Sequence, residues 1–253
     1  MSAVTSLKNR SLSVIREGFY RLLAQVLREK QSEVALPVLS GPARGLWLRR
    51  DLKETATTEI QSTPSAWSSA NVRTERLAVL CQRGWTVWDC GSETGLSTIY
   101  FARFIGEDGM VVSFEPSRPN FMRTFDNATL NGCHNILFLF AGVGAPCPKK
   151  AFLPPICARQ MSLDEAYQDD EIPVPQLVRI DLTGNGANAL NFVSRLVREQ
   201  KPLFIVDHFD AQGLNGLQTF AAEQAYELRN LETDKPFESG AVITGSVLAV
   251  PKE

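Results

Sequence analysis

Trp85-Thr86-Val87-Trp88-Asp89-Cys90-Gly91-Ser92-Glu93-Thr94-Gly95 is the stretch on which the fold turns. Its first six residues are rich in β-branched and aromatic side chains, and they run into a turn bracketed by two glycines. That pattern predicts a strand meeting a tight turn. From Leu96 to Ile105 apolar residues recur at helical spacing, and Gly106 and Gly109 close that run. The chain thus enters a strand, turns sharply and returns as a helix, which is the first half of a βαβ unit.

The same rhythm continues downstream. Residues 110–115 predict a second strand and 119–130 a second helix. Residues 136–140 predict a third strand. Residues 177–181 give a fourth, followed by a helix near 187–198. Residues 202–207 give a fifth, followed by a helix near 214–223. Residues 226–231 and 242–250 read as two closing strands. The strands are near-continuous apolar runs, as expected where a sheet is covered on both faces. The expected fold class is therefore α/β: a doubly wound, mostly parallel, Rossmann-like sheet. Ligands in such sheets sit outside the carboxyl ends of the strands, so the polar residues there are the candidate site residues.

Upstream of this region, residues 11–30 read as an amphipathic helix, either a packing helix or a homodimer contact. Pro37, Gly41, Pro42 and Gly45 punctuate a loop, and the Ser/Thr/Ala-rich residues 52–73 read as a loose lead-in that could cover a site. The expected division is an N-terminal helix and lead-in over 1–74 and a Rossmann-like domain over 75–253. Length and composition agree with one domain plus an extension: 253 residues, 44% hydrophobic and 21% charged, exclude a disordered chain or a rod.

A net charge of −2, from 26 basic and 28 acidic residues, gives no support for a nucleic-acid partner. No stretch approaches the ~20 apolar residues of a membrane span. The cysteines, at 81, 90, 133, 147 and 157, are odd in number and contain no CxxC, which argues against a disulfide framework or a structural zinc site. With His134 and His208 as the only histidines, a histidine-rich metal centre is excluded and no metal is expected. Lys8, Arg10 and Arg16 among serines, with no acid before Glu17, resemble a transit peptide, but a frayed tail leading into a helix is the preferred reading and a cytoplasmic location the expectation.

At the strand ends, the glycine turn 91–95 does not have the G-x-G-x-x-G spacing of dinucleotide binding, and no lysine follows as in a P-loop. Alone it could be a plain structural turn. Glu115, followed by Pro116, closes the second predicted strand at about the ~20-residue separation at which an acid accepts hydrogen bonds from ribose hydroxyls. Alone it could be a surface glutamate. Together they point to a nucleoside cofactor.

Residues Val87–Gly95, then Gly109-Met-Val-Val-Ser-Phe-Glu-Pro116, then Asn127 and Asn131, resemble the FkbM-type S-adenosylmethionine-dependent methyltransferases, whose pattern is D-x-G-A-x-x-G, G-x-V-x-x-F-E-P, N-x-x-x-N. Ser162-Leu163-Asp164 is similar to the family's T-L-D, Arg179-Ile-Asp-Leu-Thr-Gly184 to its K-I-D-V-E-G, and Pro202–His208 to its P-x-I-L-x-E-x-H region. Gly41–Trp47 resembles its lead-in. The resemblance spans about residues 41–250. It implies a class I methyltransferase fold, with a seven-stranded sheet whose last strand is antiparallel. It also implies methyl transfer from S-adenosylmethionine to a hydroxyl of a small glycan or natural product. By the same resemblance Asp89, Gly91, Ser92, Glu93, Thr94 and Gly95 lie under the methionine part of the cofactor. Glu115 and Pro116 lie at the ribose, Ala141 and Gly142 near the adenine, and Asp181 in the same crevice.

The family's glutamate after the fourth strand is Thr183 here, its second acid is Gly186 (or Asn185 in a shifted register), its lysine is Arg179, and its glutamate after the fifth strand is Asp207. Those departures motivate an alternative: a methyltransferase-like protein that binds cofactor or a partner without catalysis. A nicotinamide-dependent oxidoreductase is a third reading, disfavoured by the missing glycine fingerprint. For catalysis, Asp181, Asp207 and His208 fall at adjacent strand ends. His208, with an ordinary pKa of about 6.5, is the candidate base. Asp181 could orient it or the acceptor. The plainer alternatives are a capped or surface histidine and an aspartate bonded to a backbone turn. Cys90 reads as a buried structural thiol, residues 169–171 as a solvated acidic loop, and Trp85 and Trp88 as packing residues.

Overall fold

A computed structural model of the chain describes residues 33–37, 45–51, 76–145, 158–181, 189–207, 211–237, 243 and 245–252. The expected N-terminal helix and the 52–73 lead-in lie outside the described residues, as do Thr183, Asn185, Gly186 and His208.

The elements are β1 (Glu33–Pro37), β2 (Trp47–Asp51), β3 (Thr86–Cys90), α1 (Leu96–Ile105), β4 (Met110–Phe114), α2 (Arg118–Leu130), β5 (Ile136–Leu139), β6 (Ala141–Val143), β7 (Arg159–Met161), α3 (Leu163–Tyr167), β8 (Leu177–Asp181), α4 (Ser194–Gln200), β9 (Leu203–Asp207), α5 (Ala211–Glu223), β10 (Tyr226–Asn230) and β11 (Val247–Pro251). Seven strands form one sheet in the order β10-β11-β9-β8-β3-β4-β5. Strands β9, β8, β3, β4 and β5 run parallel, and β11 is antiparallel to both β9 and β10. The chain order reverses between β3 and β8, which opens a crevice at their carboxyl ends.

Alternation along each strand builds two cores, because successive side chains point to opposite faces. Val87, Val111, Leu177 and Ile205 face Phe101 and Ile105 of α1. Trp88, Val112, Phe114, Val178, Ile180, Phe204 and Val206 face the other way, against Leu163, Leu196, Leu217 and Phe220 of the remaining helices. Trp88 is fully buried, stacks edge-on against Phe114 at 5.6 Å, and donates its indole N–H to the Pro173 carbonyl at 2.8 Å. It is a packing residue, as expected.

All seven predicted strands are present, with shifted ends. The helix expected near 187–198 begins at Ser194, after a short 3₁₀ turn over 189–192. The last strand begins at Val247 rather than 242, and α5 begins at Ala211 rather than 214. Two strands that the sequence reading did not anticipate, β1 and β2, pair antiparallel on either side of the stretch Pro37–Gly45 that was expected as a loop, and residues 38–44 lie outside the described residues. Leu46 and Leu48 bury themselves against Ile99, Tyr100 and Ala128, so the hairpin rests on the helical layer. No helix among the described residues is long and apolar enough to cross a membrane.

Candidate functional site

The turn after β3 is left-handed at three places. Gly91, Glu93 and Gly95 have φ of 88°, 50° and 82°. Gly91 is also required for space, since a Cβ there would meet the Asp181 Cβ at 3.1 Å. A Cβ on Gly95 would lie 2.9 Å from the Thr124 Cα, so this glycine lets α1 and α2 approach closely. Glu93 has no such exemption, and a non-glycine residue in this region needs external support. Its N–H donates to Glu115 Oε2 at 2.9 Å, and its carbonyl accepts from the Thr124 hydroxyl at 3.0 Å. The next carbonyl, of Thr94, accepts from the Asn127 side chain at 2.8 Å. Ser92 is buried, with its hydroxyl 3.4 Å from that of Thr124.

Glu115 caps β4 and is only 3% exposed. One carboxylate oxygen accepts from Glu93 N–H and the other from Ser117 N–H at 2.8 Å. Burial raises its pKa above the ordinary glutamate value, and the two backbone donors offset that in part. An ionised carboxylate has about four acceptor positions, so two backbone bonds leave capacity for two further hydroxyl donors. Pro116, next along, is exposed.

The floor of the crevice is an ionic cluster centred on Arg179 of β8. Register sets it up: Arg179 lies opposite Asp89 on β3, and Asp181 lies opposite Asp207 on β9, so all four side chains share one face. Arg179 Nη1 donates to Asp89 Oδ1 at 2.9 Å and to the Gly91 carbonyl at 3.0 Å. Nε donates to Asp207 Oδ2 at 2.9 Å, and Nη2 to Asp181 Oδ2 at 3.4 Å. Burial alone would disfavour the guanidinium charge, but Asp89 and Asp207 outweigh it and hold its pKa above the ordinary value. The second oxygen of Asp89 accepts from the hydroxyls of Ser97, at 2.8 Å, and Thr98, at 2.6 Å. Asp207 also accepts from the Ser246 hydroxyl. Asp89 is thus enclosed, with no exposure, while Asp181 and Asp207 stand at the crevice rim tied to one cation.

No protein-family model and no curated protein matches the sequence. Solved structures do superpose on it. A methyltransferase FkbM from Methylobacillus flagellatus KT is 17% identical, with a TM-score of 0.51 over 79% of this chain and 53% of that one. The chain thus spans about half the length of that protein. A SAM-dependent methyltransferase from Agrobacterium tumefaciens is 11% identical, with a TM-score of 0.51 over 88% of this chain and 71% of that one. The fold is that of the class I methyltransferases. Its seven strands and single antiparallel strand are as the sequence resemblance implied.

Within this methyltransferase fold, Asp89, Gly91–Gly95, Glu115, Asp181 and Asp207 converge on the tips of four adjacent strands. Ala141 and Gly142 begin β6, just beyond the tip of β5, and Gly142 is covered by the side chain of Gln160. Arg179, Ser97, Thr98, Ser246 and Asn127 were not singled out as site residues from sequence. One signal was available: an arginine inside a strand buried on both faces must have counter-ions, and only the strand-end acids could supply them. Among the described residues, no group of three or more His, Cys, Asp or Glu side chains could hold a metal ion. Cys81, Cys90 and Cys133 are free thiols, and burial pushes the Cys90 thiol well above its ordinary range.

Proposed function

We propose that the chain is an S-adenosylmethionine-dependent methyltransferase acting on a hydroxyl of a small glycan or natural product. The observation that carries this reading is Glu115. It is a buried carboxylate at the tip of β4, bonded to the backbone of the glycine turn, with acceptor positions to spare. Those open acceptor positions fit the two hydroxyls of a ribose. The side-chain-free Gly91 and the acidic cluster behind it fit a ligand of positive charge. When bound, S-adenosylmethionine supplies an electrophilic methyl group on a sulfonium.

In this reading Glu115 binds the ribose, residues 91–95 form the bed for the amino-acid part, and Ala141 and Gly142 border the adenine. Asp181, at the rim, orients the acceptor hydroxyl. His208, which directly follows the tip of β9 in sequence, takes its proton. Asp207 serves through its ion pair with Arg179, which fixes the strand end from which His208 continues. Positioning accounts for much of the acceleration, with a base adding about 10²–10⁴-fold.

A second reading, binding without turnover, is favoured by the engagement of both Asp181 and Asp207 with Arg179 and by Thr183 and Gly186 standing where the resembled family has acids. Calorimetry with S-adenosylmethionine, S-adenosylhomocysteine and NAD tests the cofactor. The two sulfur ligands are expected to bind and NAD is not. Absence of binding by either sulfur ligand at millimolar concentration refutes the proposal. Turnover of bound cofactor against a panel of hydroxylated acceptors separates the enzyme from the binder.

A further inference from the structure

Asn127 of α2 and Asn131, which caps the helix's C-terminal end, stand about one helical turn apart, and both side-chain amides act as a piece of β-sheet edge. Asn131 Oδ1 accepts from Trp47 N–H at 2.9 Å, and its Nδ2 donates to the Trp47 carbonyl at 2.6 Å. Asn127 Oδ1 accepts from Arg49 N–H at 2.5 Å, and its Nδ2 donates to the Arg49 carbonyl at 3.4 Å. The fit is geometric. Residues i and i+2 of a strand present N–H and C=O on the same edge about 6.5–7 Å apart, and residues i and i+4 of a helix have side chains at a similar spacing. Two amides on one helix face therefore pair with alternate residues of β2.

The two asparagines differ in one respect. Asn127 also donates to the Thr94 carbonyl at 2.8 Å, inside the glycine turn, while no bond runs from Asn131 to that turn among the described residues. Three positions earlier on the same helix face, Thr124 holds the Glu93 carbonyl. The left-handed Glu93 is thus gripped by α2 on one side and by Glu115 on the other. Asn127 is fully buried and uses both of its polar atoms in these contacts.

We infer that Asn127 is a positioning residue that couples docking of the N-terminal hairpin to the shape of the cofactor turn, so that the hairpin and the cofactor stabilise each other's seating. The inference rests on the methyltransferase reading for the identity of the ligand, but the coupling is a property of the ligand-free chain as well. Linkage makes it reciprocal: whatever the hairpin does for the ligand, the ligand does for the hairpin.

The test uses Asn131→Ala in the full chain, a change that removes both bonds to Trp47 and the Nδ2 bond to the Asn127 carbonyl at 2.7 Å, and leaves the Asn127 side chain and every bond of the glycine turn in place. Amide hydrogen exchange is read at Trp47, Arg49 and Glu93 without ligand, and binding of S-adenosylhomocysteine is read by calorimetry. Faster exchange at Trp47 is expected to be accompanied by faster exchange at Glu93, although the bonds of Glu93 to Glu115 and Thr124 are both retained. Affinity is expected to fall by roughly fivefold. In the unaltered protein the ligand is expected to slow exchange at Trp47 and Arg49. Faster exchange at Trp47 with unchanged exchange at Glu93 overturns the coupling. Failure of the unaltered protein to bind the ligand overturns the functional reading instead, and the exchange comparison then decides the coupling alone. If Asn131→Ala does not fold, Asn131→Asp keeps the acceptor for Trp47 N–H, removes the donor to the Trp47 and Asn127 carbonyls, and gives the same comparison.

Discussion

Arg179→Met removes the guanidinium and keeps most of the apolar stem. In the native protein that guanidinium faces Asp89 and Asp207 at 2.9 Å and Asp181 at 3.4 Å, with the whole group buried. Breaking a buried pair by deleting one partner costs about 3–5 kcal/mol, because the remaining charge is left uncompensated. Here three carboxylates lose one shared cation and the Gly91 carbonyl loses a donor, so the upper half of that range is expected at pH 7.5. Against a total stability of about 5–15 kcal/mol this is roughly a quarter or more of the fold's stability. Urea unfolding followed by tryptophan fluorescence, to which the buried Trp88 contributes, measures it. A loss under about 1 kcal/mol, below the range for a broken buried pair, refutes the account of the cluster.

Arg179→Lys keeps the charge but cannot fork to three acids, so a loss of about 1–2 kcal/mol is expected in the same urea assay. For Glu115, burial raises the folded-state pKa, so its contribution to the stability of the ligand-free protein is present at low pH and is lost as pH rises through the raised value. Ligand affinity runs the other way: S-adenosylhomocysteine binding should weaken as pH falls through a range above the ordinary glutamate value of 4.5, and Glu115→Ala should lose about tenfold in affinity and that pH dependence together, read by calorimetry. Gly95→Ala places a methyl 2.9 Å from the Thr124 Cα at φ 82°, and a loss of about 2 kcal/mol or more is expected in thermal unfolding. Asp164→Ala should cost about 1 kcal/mol by the same measurement, since Asp164 supplies the cap that α4 lacks, accepting from Arg195 N–H at 3.1 Å and Leu196 N–H at 2.9 Å.

The seven-stranded sheet was legible because each strand is a short apolar run bounded by glycine, proline or acid, and because helical periodicity fills the gaps between strands. The β1–β2 hairpin was not. Its second strand reads Trp47-Leu48-Arg49-Arg50-Asp51, in which Leu48 faces a core together with Leu46 just before the strand, and its outer edge pairs with side-chain amides that no propensity anticipates. The strand-end residues Asp89, Glu115, Asp181 and Asp207 could be picked out as acids near a crevice. Arg179 carried a signal as an arginine inside a buried strand, but which acid meets which atom carried none, since the ionic cluster exists only in the register that sets Asp89 against Arg179 and Asp181 against Asp207. Pattern locates a strand; it does not say which residue lies across from which.

That cluster also bears on how the chain is made. The partners of Asp89 are graded by distance along the chain: the hydroxyls of Ser97 and Thr98 are 8 and 9 residues away, while Arg179 is 90 away. Asp207 follows Arg179 by 28 residues, and Ser246 follows Asp207 by 39. During synthesis the first βα unit can shelter its acid with local hydroxyls long before the cation emerges. The last acid, by contrast, has its cation waiting and gains its hydroxyl only 39 residues later. Closure of the sheet centre is then a late, long-range event. A nascent chain halted before residue 179 would carry a half-built sheet whose buried acid is solvated by serine and threonine alone.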